Sequence, residues 1–498
     1  MKLNKIIEGL ECEISSSISD LEGLEIEDIV YDSRNAKEKT IFVAIKGETM
    51  DGHSFIANAY ENGCRVFVVD QDVEVEKDAV KIKAEDSRTA LSKMSSNFFG
   101  NPSERIKVIG VTGTKGKTTI TNYIKTVLSE SGMNTGVIGT NGVFYNDVKA
   151  KTVNTTPESY ELQKTIKEMA DAGVDCVAME VSSSGLMMNR VNDIKFDIGV
   201  YTNLSPDHIG PKEHPTFEDY RYCKSLLFSL CKHGIVNLDD ENAWYMIENA
   251  KCDIATFSIH KDSDLKADNI KLTRDEKTLG VEFDYIYKGE TKTHTHICSP
   301  GEFSIYNALA VISVCKYLCI DEEKMLKSLS NAKVDGRVEV LPVLPYATVV
   351  VDYAHNGMSL ENVLNTLLMY KPNRMISLFG SIGGRCAIRR KELGDVASEL
   401  SDITVITTDN PDDEDPMDII NDIAKSYENS DCEIYKIVDR AEAIYKALSI
   451  AEEGDMILIT GKGHEKYQII NGERVFYDEK GEVIKAGERV RKEKGIEL

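Results

Sequence analysis

The stretch at residues 106–132, IKVIGVTGTKGKTTITNYIKTVLSESG, decides the fold. KVIGVTG is an apolar, β-branched run that predicts a buried strand. GTKGKTT is a glycine-rich loop, and ITNYIKTVLSESG spaces its apolar residues as one face of a helix that stops at Gly132. Strand, loop and helix in that order is the setting in which backbone N–H groups and a helix N-terminus hold phosphate. The loop ends in GKT, so Lys117 would supply a point charge to the β- and γ-phosphates and the Thr118 hydroxyl would help to hold Mg²⁺. Val111 replaces the first glycine of the general pattern, with Gly110 and Gly113 beside it.

Before this loop, from Thr40 onward, short β-rich runs (IFVAIKG, RVFVVD, AVKIKAED) alternate with turn residues, and a helical pattern covers residues 87–99. Gly100, Asn101 and Pro102 break that pattern and suggest a boundary near residue 102. After the loop, strands are expected at 174–179 and 198–204 and a helix around 217–231. A third regime begins after Asn331, where strands and helices alternate as in a parallel βαβ sheet. In such sheets ligands bind beyond the carboxyl ends of the strands. The strings DYAH, FGSIGGR, TTDNP and TGKGHE each follow an apolar strand, so all four should meet on one edge. The expected domains are 1–102, 103–332 and 333–498.

The 498 residues carry 59 Lys and Arg against 83 Asp and Glu, a net charge of −24. That deficit of cations weighs against a nucleic-acid partner, which needs clustered Lys and Arg. Any anionic ligand must be held by a local exception, for which Lys115, Lys117, Arg190, Arg337 and Arg390 are the candidates. No apolar run approaches the roughly 18 residues that cross a bilayer, and the start lacks a signal-peptide core, so no membrane partner and a cytoplasmic location are expected. Eleven cysteines occur without a CxxC, which disfavours zinc and disulfides; Cys315 and Cys319, at helical spacing, read as packed thiols.

An Mg²⁺ site needs more hard oxygen ligands. Glu180 ends the strand VDCVAME, and His208 follows the strand in YTNLSPDH, whose last residue it is. Alone, the first reads equally as a solvated strand-end acid and the second as a helix cap. Their place on strand ends beside the phosphate loop favours the metal. Lys224, on an amphipathic helix, reads by itself as a solvated lysine.

Taken together, GVTGTKGKTT, NTTPE, MEVSS, YTNLSPDH, YNALA, GRVE and VDYAHN resemble the Mur ligases, ATP-dependent amide-forming enzymes of cell-wall precursor synthesis. DSR (32–34), DGHSFI (51–56), DNP (409–411) and GKGHE (461–465) resemble the branch that adds the third residue of the stem peptide. The resemblance implies an α/β protein of three domains: an N-terminal uridine-nucleotide-binding domain, a central phosphate-loop ATPase-like parallel sheet and a C-terminal Rossmann-like domain for the amino acid. It implies that Gly113, Thr114, Lys115, Gly116, Lys117, Thr118, Thr119, Asn307, Arg337, Asp352 and His355 bind ATP, and that Ser33, Asn154, Thr155, Thr156, Ser182 and Arg190 bind UDP-N-acetylmuramoyl-L-alanyl-D-glutamate. Thr118, Glu180 and His208 would hold Mg²⁺ with Lys224 as a carbamate, and Lys117, Glu180, His208 and Lys224 would be catalytic, in a monomer.

The chain departs from the branch at Ser184, where His or Gln is frequent, and at Asp412, where enzymes that add diaminopimelate usually carry Arg for the distal carboxylate. An Asp there would repel a second carboxylate and attract an ammonium group. Lysine is therefore the expected diamino acid, with ornithine behind it; GKGHE is the form common in diaminopimelate enzymes and keeps that alternative open. Arg390 would take the α-carboxylate, with Asn410, Asp412, Gly461 and Glu465 around the rest. Rival readings are a folylpolyglutamate synthase-like ligase, against which the N-terminal DSR and DGHSFI count, and a nucleotide-binding protein without turnover.

Overall fold

The computed structural model describes the chain except residues 18–20, 22, 48–49, 208, 211–212, 275–277, 291–292, 333–337, 385–386, 464 and 497–498. The described residues fall into two compact units. The first comprises residues 1–266, 287–289 and 306–328, the second 267–286, 290–305 and 329–498.

The first unit begins with a five-stranded sheet in the order Cys12–Ser16, Val80–Ala84, Val66–Val69, Thr40–Val43, Asp28–Val30. The last four run parallel and the first antiparallel. TIFV and VFVV are buried along their whole length, as expected of parallel strands covered on both faces. The helix Ser87–Phe98 starts at Asp86, whose carboxylate accepts from the N–H groups of Arg88 and Thr89. Its Ala90, Leu91 and Met94 join Ile41, Val43, Val66 and Val68 in one core. The strands Cys12–Ser16 and Asp28–Val30 lie outside the sequence expectation, because each is short and the first is mostly exposed.

The second sheet of this unit is built around Lys107–Thr112. Phe196–Tyr201, Cys231–Asn237 and Asp253–Ser258 follow on one side, Cys176–Glu180 and Thr135–Gly139 on the other, all parallel. Antiparallel Gly142–Tyr145 and Val148–Ala150 finish the second edge. Glu180 is in register with Val111 and Tyr201 with Thr112, so the carboxyl ends of the three central strands stand side by side. The helix expected over 217–231 is interrupted at Leu226 into Phe217–Ser225 and Leu227–Leu230, and Cys231 already begins a strand.

In the second unit a six-stranded sheet runs Glu339–Leu341, Thr348–Asp352, Met456–Thr460, Met375–Phe379, Ile403–Ile406, Glu433–Lys436, parallel except at its first strand. Val349, Val351, Ile457 and Ile459 face one helical layer, and Val350, Met375, Met456 and Leu458 the other. That alternation in wholly apolar strands is the mark of a doubly covered Rossmann-like sheet. The antiparallel pairs Leu279–Tyr287 with Thr293–Ile297, and Tyr467–Ile470 with Glu473–Phe476, lie beyond the sequence expectation. Cys315 is buried as expected, but Cys319 is exposed, at a left-handed φ of 57° just past the end of its helix. No helix among the described residues is long and apolar enough to cross a membrane.

Candidate active site

The phosphate loop turns at two glycines with positive φ, Gly113 at 142° and Gly116 at 89°. A Cβ on Gly113 would overlap the Thr202 hydroxyl, and one on Gly116 would lie 2.9 Å from Asn307 Oδ1. Only glycine fits both the backbone and the space. Asn307, from the helix Glu302–Tyr317, thereby stands against the loop. Lys115 donates its N–H to Asn203 Oδ1, and its ammonium lies 3.8 Å from Asp207. Thr114 Oγ1 is 3.1 Å from the Tyr220 hydroxyl. Lys117, the first residue of the helix Lys117–Glu130, donates to the carbonyls of Gly113 at 2.8 Å and Thr114 at 3.1 Å.

Glu180 is 2% exposed at its strand end. It accepts from Thr118 Oγ1 at 3.0 Å and from the backbone N–H and hydroxyl of Thr140 at 2.9 and 3.2 Å. Thr140 also meets Thr155 at 3.0 Å. Thr156 donates to the Glu180 carbonyl and accepts the N–H and hydroxyl of Ser182, which in turn caps the helix Ser183–Met187. Thr118, Glu180, Thr155, Thr156 and Ser182 are thus one contiguous group with the loop, and Thr119 follows in the first turn of the helix Lys117–Glu130. A buried carboxylate with hydroxyl neighbours is the hard oxygen set that Mg²⁺ takes. His208 lies outside the described residues.

Lys224 is 1% exposed. Its ammonium donates to the Gly113 carbonyl at 2.9 Å, the same oxygen that Lys117 uses, and sits 4.7 Å from the centre of the Tyr220 ring. Burial first, and the Lys117 charge second, hold its pKa well below that of an ordinary lysine; burial lowers that of Lys117 too, against the pull of Glu180. The solvated lysine read from the sequence is therefore a buried one.

A cavity of about 640 Å³ opens here. Lys117, Asn154, Thr155, Ser182, Arg190 and Lys224 line it, together with Ser184 and with His214 and Tyr220, which the sequence reading missed. Arg190 donates to the Thr156 carbonyl at 3.1 Å and pairs with Glu158 at 3.3 Å; Arg88 meets the same carboxylate at 3.0 Å. Ser184 reaches only as far as Ser182, 3.2 Å between hydroxyls. Ser33 is not among the residues lining this cavity; it is buried in a short turn of helix, Ser33–Asn35, of the N-terminal sheet.

In the second unit the four strand-end strings do meet. Gly383 donates its N–H to the Asn410 carbonyl at 2.8 Å, and the Tyr353 hydroxyl donates to Glu465 at 3.1 Å. The buried Lys462 ammonium donates to Asn410 Oδ1 and pairs with Asp409 at 2.8 Å and Glu465 at 3.4 Å. Gly461 has φ 113°, and a Cβ there would press on Asp409 at 3.1 Å. Asp352 accepts the N–H groups of Ala354 at 2.6 Å and Val338 at 2.8 Å, with His355 alongside, its Nδ1 3.0 Å from the Tyr353 carbonyl. Arg337 lies outside the described residues.

Two expected amino-acid contacts are committed elsewhere. The Arg390 guanidinium is buried and forked onto Glu414 at 2.7 and 2.5 Å and onto Asp422 at 2.9 Å, so it offers no open fork to an α-carboxylate. Asp412 has a left-handed φ of 54°, and its carboxylate accepts the Gly472 N–H at 3.1 Å. Its backbone exchanges hydrogen bonds with Ile469 and Asn471. The side chain pins the turn of the hairpin 467–476, a structural task that needs no bound amino acid.

Sequence models of three domains match the chain: "Mur ligase family, catalytic domain" over residues 25–99, "Mur ligase middle domain" over 111–315 and "Mur ligase, glutamate ligase domain" over 336–463. A UDP-N-acetylmuramoyl-L-alanyl-D-glutamate--2,6-diaminopimelate ligase from Clostridium perfringens is 43% identical over 491 residues, 96% of this chain and 98% of that protein. The chain belongs to the Mur ligase family. A solved structure of a ligase with that same name superposes on this Mur ligase with a TM-score of 0.75 at 26% identity, over 98% of this chain and 99% of the other. Folylpolyglutamate synthase from Thermotoga maritima shares the fold over only 75% of this chain and 90% of its own, with a TM-score of 0.57 at 18% identity. These names favour diaminopimelate over the lysine expected from Asp412, in agreement with the turn that Asp412 makes.

Proposed function

We propose that this Mur ligase uses ATP to join 2,6-diaminopimelate to the γ-carboxylate of D-glutamate in UDP-N-acetylmuramoyl-L-alanyl-D-glutamate. The observation that carries this reading is the 43% identity, over nearly the whole of both chains, to a ligase of that name. Three domains, ending near residues 102 and 332, divide the ligands among uridine nucleotide, ATP and amino acid. One copy of the chain suffices, working in the cytoplasm on soluble substrates.

The γ-phosphoryl group of ATP passes to the substrate carboxylate, giving an acyl phosphate and ADP. The amine attacks that carbonyl, and the tetrahedral intermediate expels phosphate and leaves the amide. No protein nucleophile is needed, so positioning and charge neutralisation do the work. Loop N–H groups at 113–119 cradle the phosphates, and Lys117 exchanges its carbonyl partners for a phosphate oxygen. Asn307, with Arg337, Asp352 and His355, holds the adenine nucleotide. Thr118, Glu180 and His208 hold Mg²⁺, which supplies charge neutralisation on the transferring phosphoryl group. Lys224 joins them as a carbamate. Its lowered pKa favours the free amine, whose lone pair attacks carbon dioxide; an N–C bond forms and a proton leaves. Ser33 contacts the uridine, and Asn154, Thr155, Thr156, Ser182 and Arg190 line the path of the muramyl dipeptide. Asn410, Gly461 and Glu465 surround the amino acid.

The test is phosphate release from ATP by the purified enzyme with the nucleotide dipeptide and each amino acid in turn. Diaminopimelate should exceed lysine and ornithine by at least about 100-fold in kcat/KM, because a site built for a charged group rejects the analogue that lacks it. Turnover with lysine alone would overturn the proposal.

A further inference from the structure

His214 has no task in the chemistry described so far. Its imidazole is 1% exposed and lines the cavity that holds Lys117 and Lys224. Nδ1 lies 2.7 Å from Asp219 Oδ2, and Asp219 is itself fixed in the first turn of the helix Phe217–Ser225, its N–H capped by Thr216. A carboxylate at Nδ1 calls for a proton there, which leaves the lone pair of the neutral ring on Nε2. Nε2 is buried and has no hydrogen-bond partner among the described residues. Buried polar atoms are paired as a rule, so an orphan on a ring that lines a cavity marks a place for a ligand.

A metal triad of His214, Asp219 and Cys223 is the competing use, since their ligand atoms lie within 4.8 Å of one another. The Nδ1–Oδ2 distance is that of a hydrogen bond, however, and burial pushes the Cys223 thiol up to about 11, away from the thiolate a metal needs. It also leaves Nε2 unexplained. The ring is tied to the nucleotide machinery instead: it packs edge-on against Tyr220 at 5.1 Å, and Tyr220 touches both Thr114 of the phosphate loop and Lys224.

We propose that His214 is a substrate-contacting residue whose Nε2 accepts a hydrogen bond from a peptide N–H of the alanyl-glutamyl arm of the nucleotide substrate. This rests on the substrate proposed above. Lys117, Lys224, Arg190 and Asn154 furnish the cavity with donors for carboxylates and phosphates. The arm also carries N–H groups, for which the Nε2 lone pair is an acceptor beside the oxygens of Glu213, Ser182 and Ser184.

Isothermal titration of the full-length enzyme without ATP separates the roles, with UDP-N-acetylmuramoyl-L-alanyl-D-glutamate and with UDP-N-acetylmuramate, which lacks the arm. His214→Gln keeps an amide near the Nε2 position, whereas His214→Asn keeps only the Nδ1 end. His214→Ala and His214→Asn should weaken the dipeptide nucleotide about tenfold or more and leave UDP-N-acetylmuramate within about twofold, with His214→Gln recovering most of the loss. The KM for the dipeptide nucleotide should follow the same order. Equal loss for both ligands, better rescue by Asn than by Gln, or no change in any variant would overturn the contact. Failure of the wild type to bind the dipeptide nucleotide overturns the substrate assignment and this contact together. Turnover of lysine alone by a wild type that binds it overturns only the amino-acid assignment.

Discussion

Alanine at Gly113 would strike the loop where it is most constrained. The new Cβ would overlap the Thr202 hydroxyl and lie about 3 Å from the backbone of Asn203. The Thr202 hydroxyl cannot simply turn away, because it donates to the Lys115 carbonyl at 2.7 Å. Holding a non-glycine residue at φ 142° costs about 1–3 kcal/mol, and losing the Thr202 bond about 1 kcal/mol more, so about 2–4 kcal/mol in all. The cost has two possible destinations. If the loop keeps its shape, stability falls; if the loop relaxes, ATP must restore it and affinity falls. The assay is therefore a pair of measurements on Gly113→Ala, the unfolding free energy and the ATP dissociation constant, whose losses are added. In Gly113→Ala/Thr202→Ala the clash with the Thr202 hydroxyl disappears while the backbone cost and the approach to Asn203 stay, so the double variant should lose about 1 kcal/mol less than the two singles added together. Gly113→Ala within about 0.5 kcal/mol of wild type in both measurements, or strict additivity with Thr202→Ala, would refute the reasoning.

Lys224→Ala should reduce phosphate release about a thousandfold, and formate or bicarbonate should restore part of the activity of weakened variants; full activity would remove the carbamate role. Asp412→Asn preserves an acceptor for the Gly472 N–H and tolerates the left-handed backbone, so the preference between diaminopimelate and lysine should move by less than about threefold. A shift of more than about tenfold in a competition assay would return Asp412 to the amino-acid site. Asp86→Ala should lower stability at pH 7 by about 1–2 kcal/mol through loss of the helix cap. Burial raises the Asp86 pKa, but hydrogen bonds from Thr89, Asn189 and the Arg88 N–H outweigh it and hold the carboxyl below its usual value. The cap's contribution is thus complete above the unfolded carboxyl's pKa and is lost as pH falls through the lower folded one. Melting curves of wild type and variant should converge in that acid range.

Residues 106–132 made the central domain legible because two different periodicities flank two glycines, and the register of Lys107–Thr112 with Cys176–Glu180 and Phe196–Tyr201 follows from ordinary parallel pairing. The strand ends of the Rossmann-like sheet were equally plain, since apolar runs stop at DYAH, TTDNP and TGKGHE. What escaped was what neighbours do to single side chains. Lys224 reads as a surface residue until Gly113 is seen to face it, and Arg390 reads as a free cation until Glu414 and Asp422 close on it. Asp412 was misread because its partner, Gly472, is 60 residues away in a hairpin that the pattern did not announce. His214 carries no local motif; only its pairing with Asp219 and its empty second nitrogen mark it.

The Gly113 carbonyl serves two ammonium groups at once, Lys117 at 2.8 Å and Lys224 at 2.9 Å. Cations that share one oxygen cannot titrate or move independently. A phosphate drawing Lys117 away would lower the repulsion on Lys224, and the proposed carbamate on Lys224 would replace a rival of Lys117 by an attraction. With Lys224 as the proposed carbamate, nucleotide occupancy and lysine modification would be thermodynamically linked at this carbonyl, and each would change the other's equilibrium by the same factor. Carbon dioxide tension would then enter the apparent affinity of this enzyme for ATP, and ATP the fraction of enzyme that is modified.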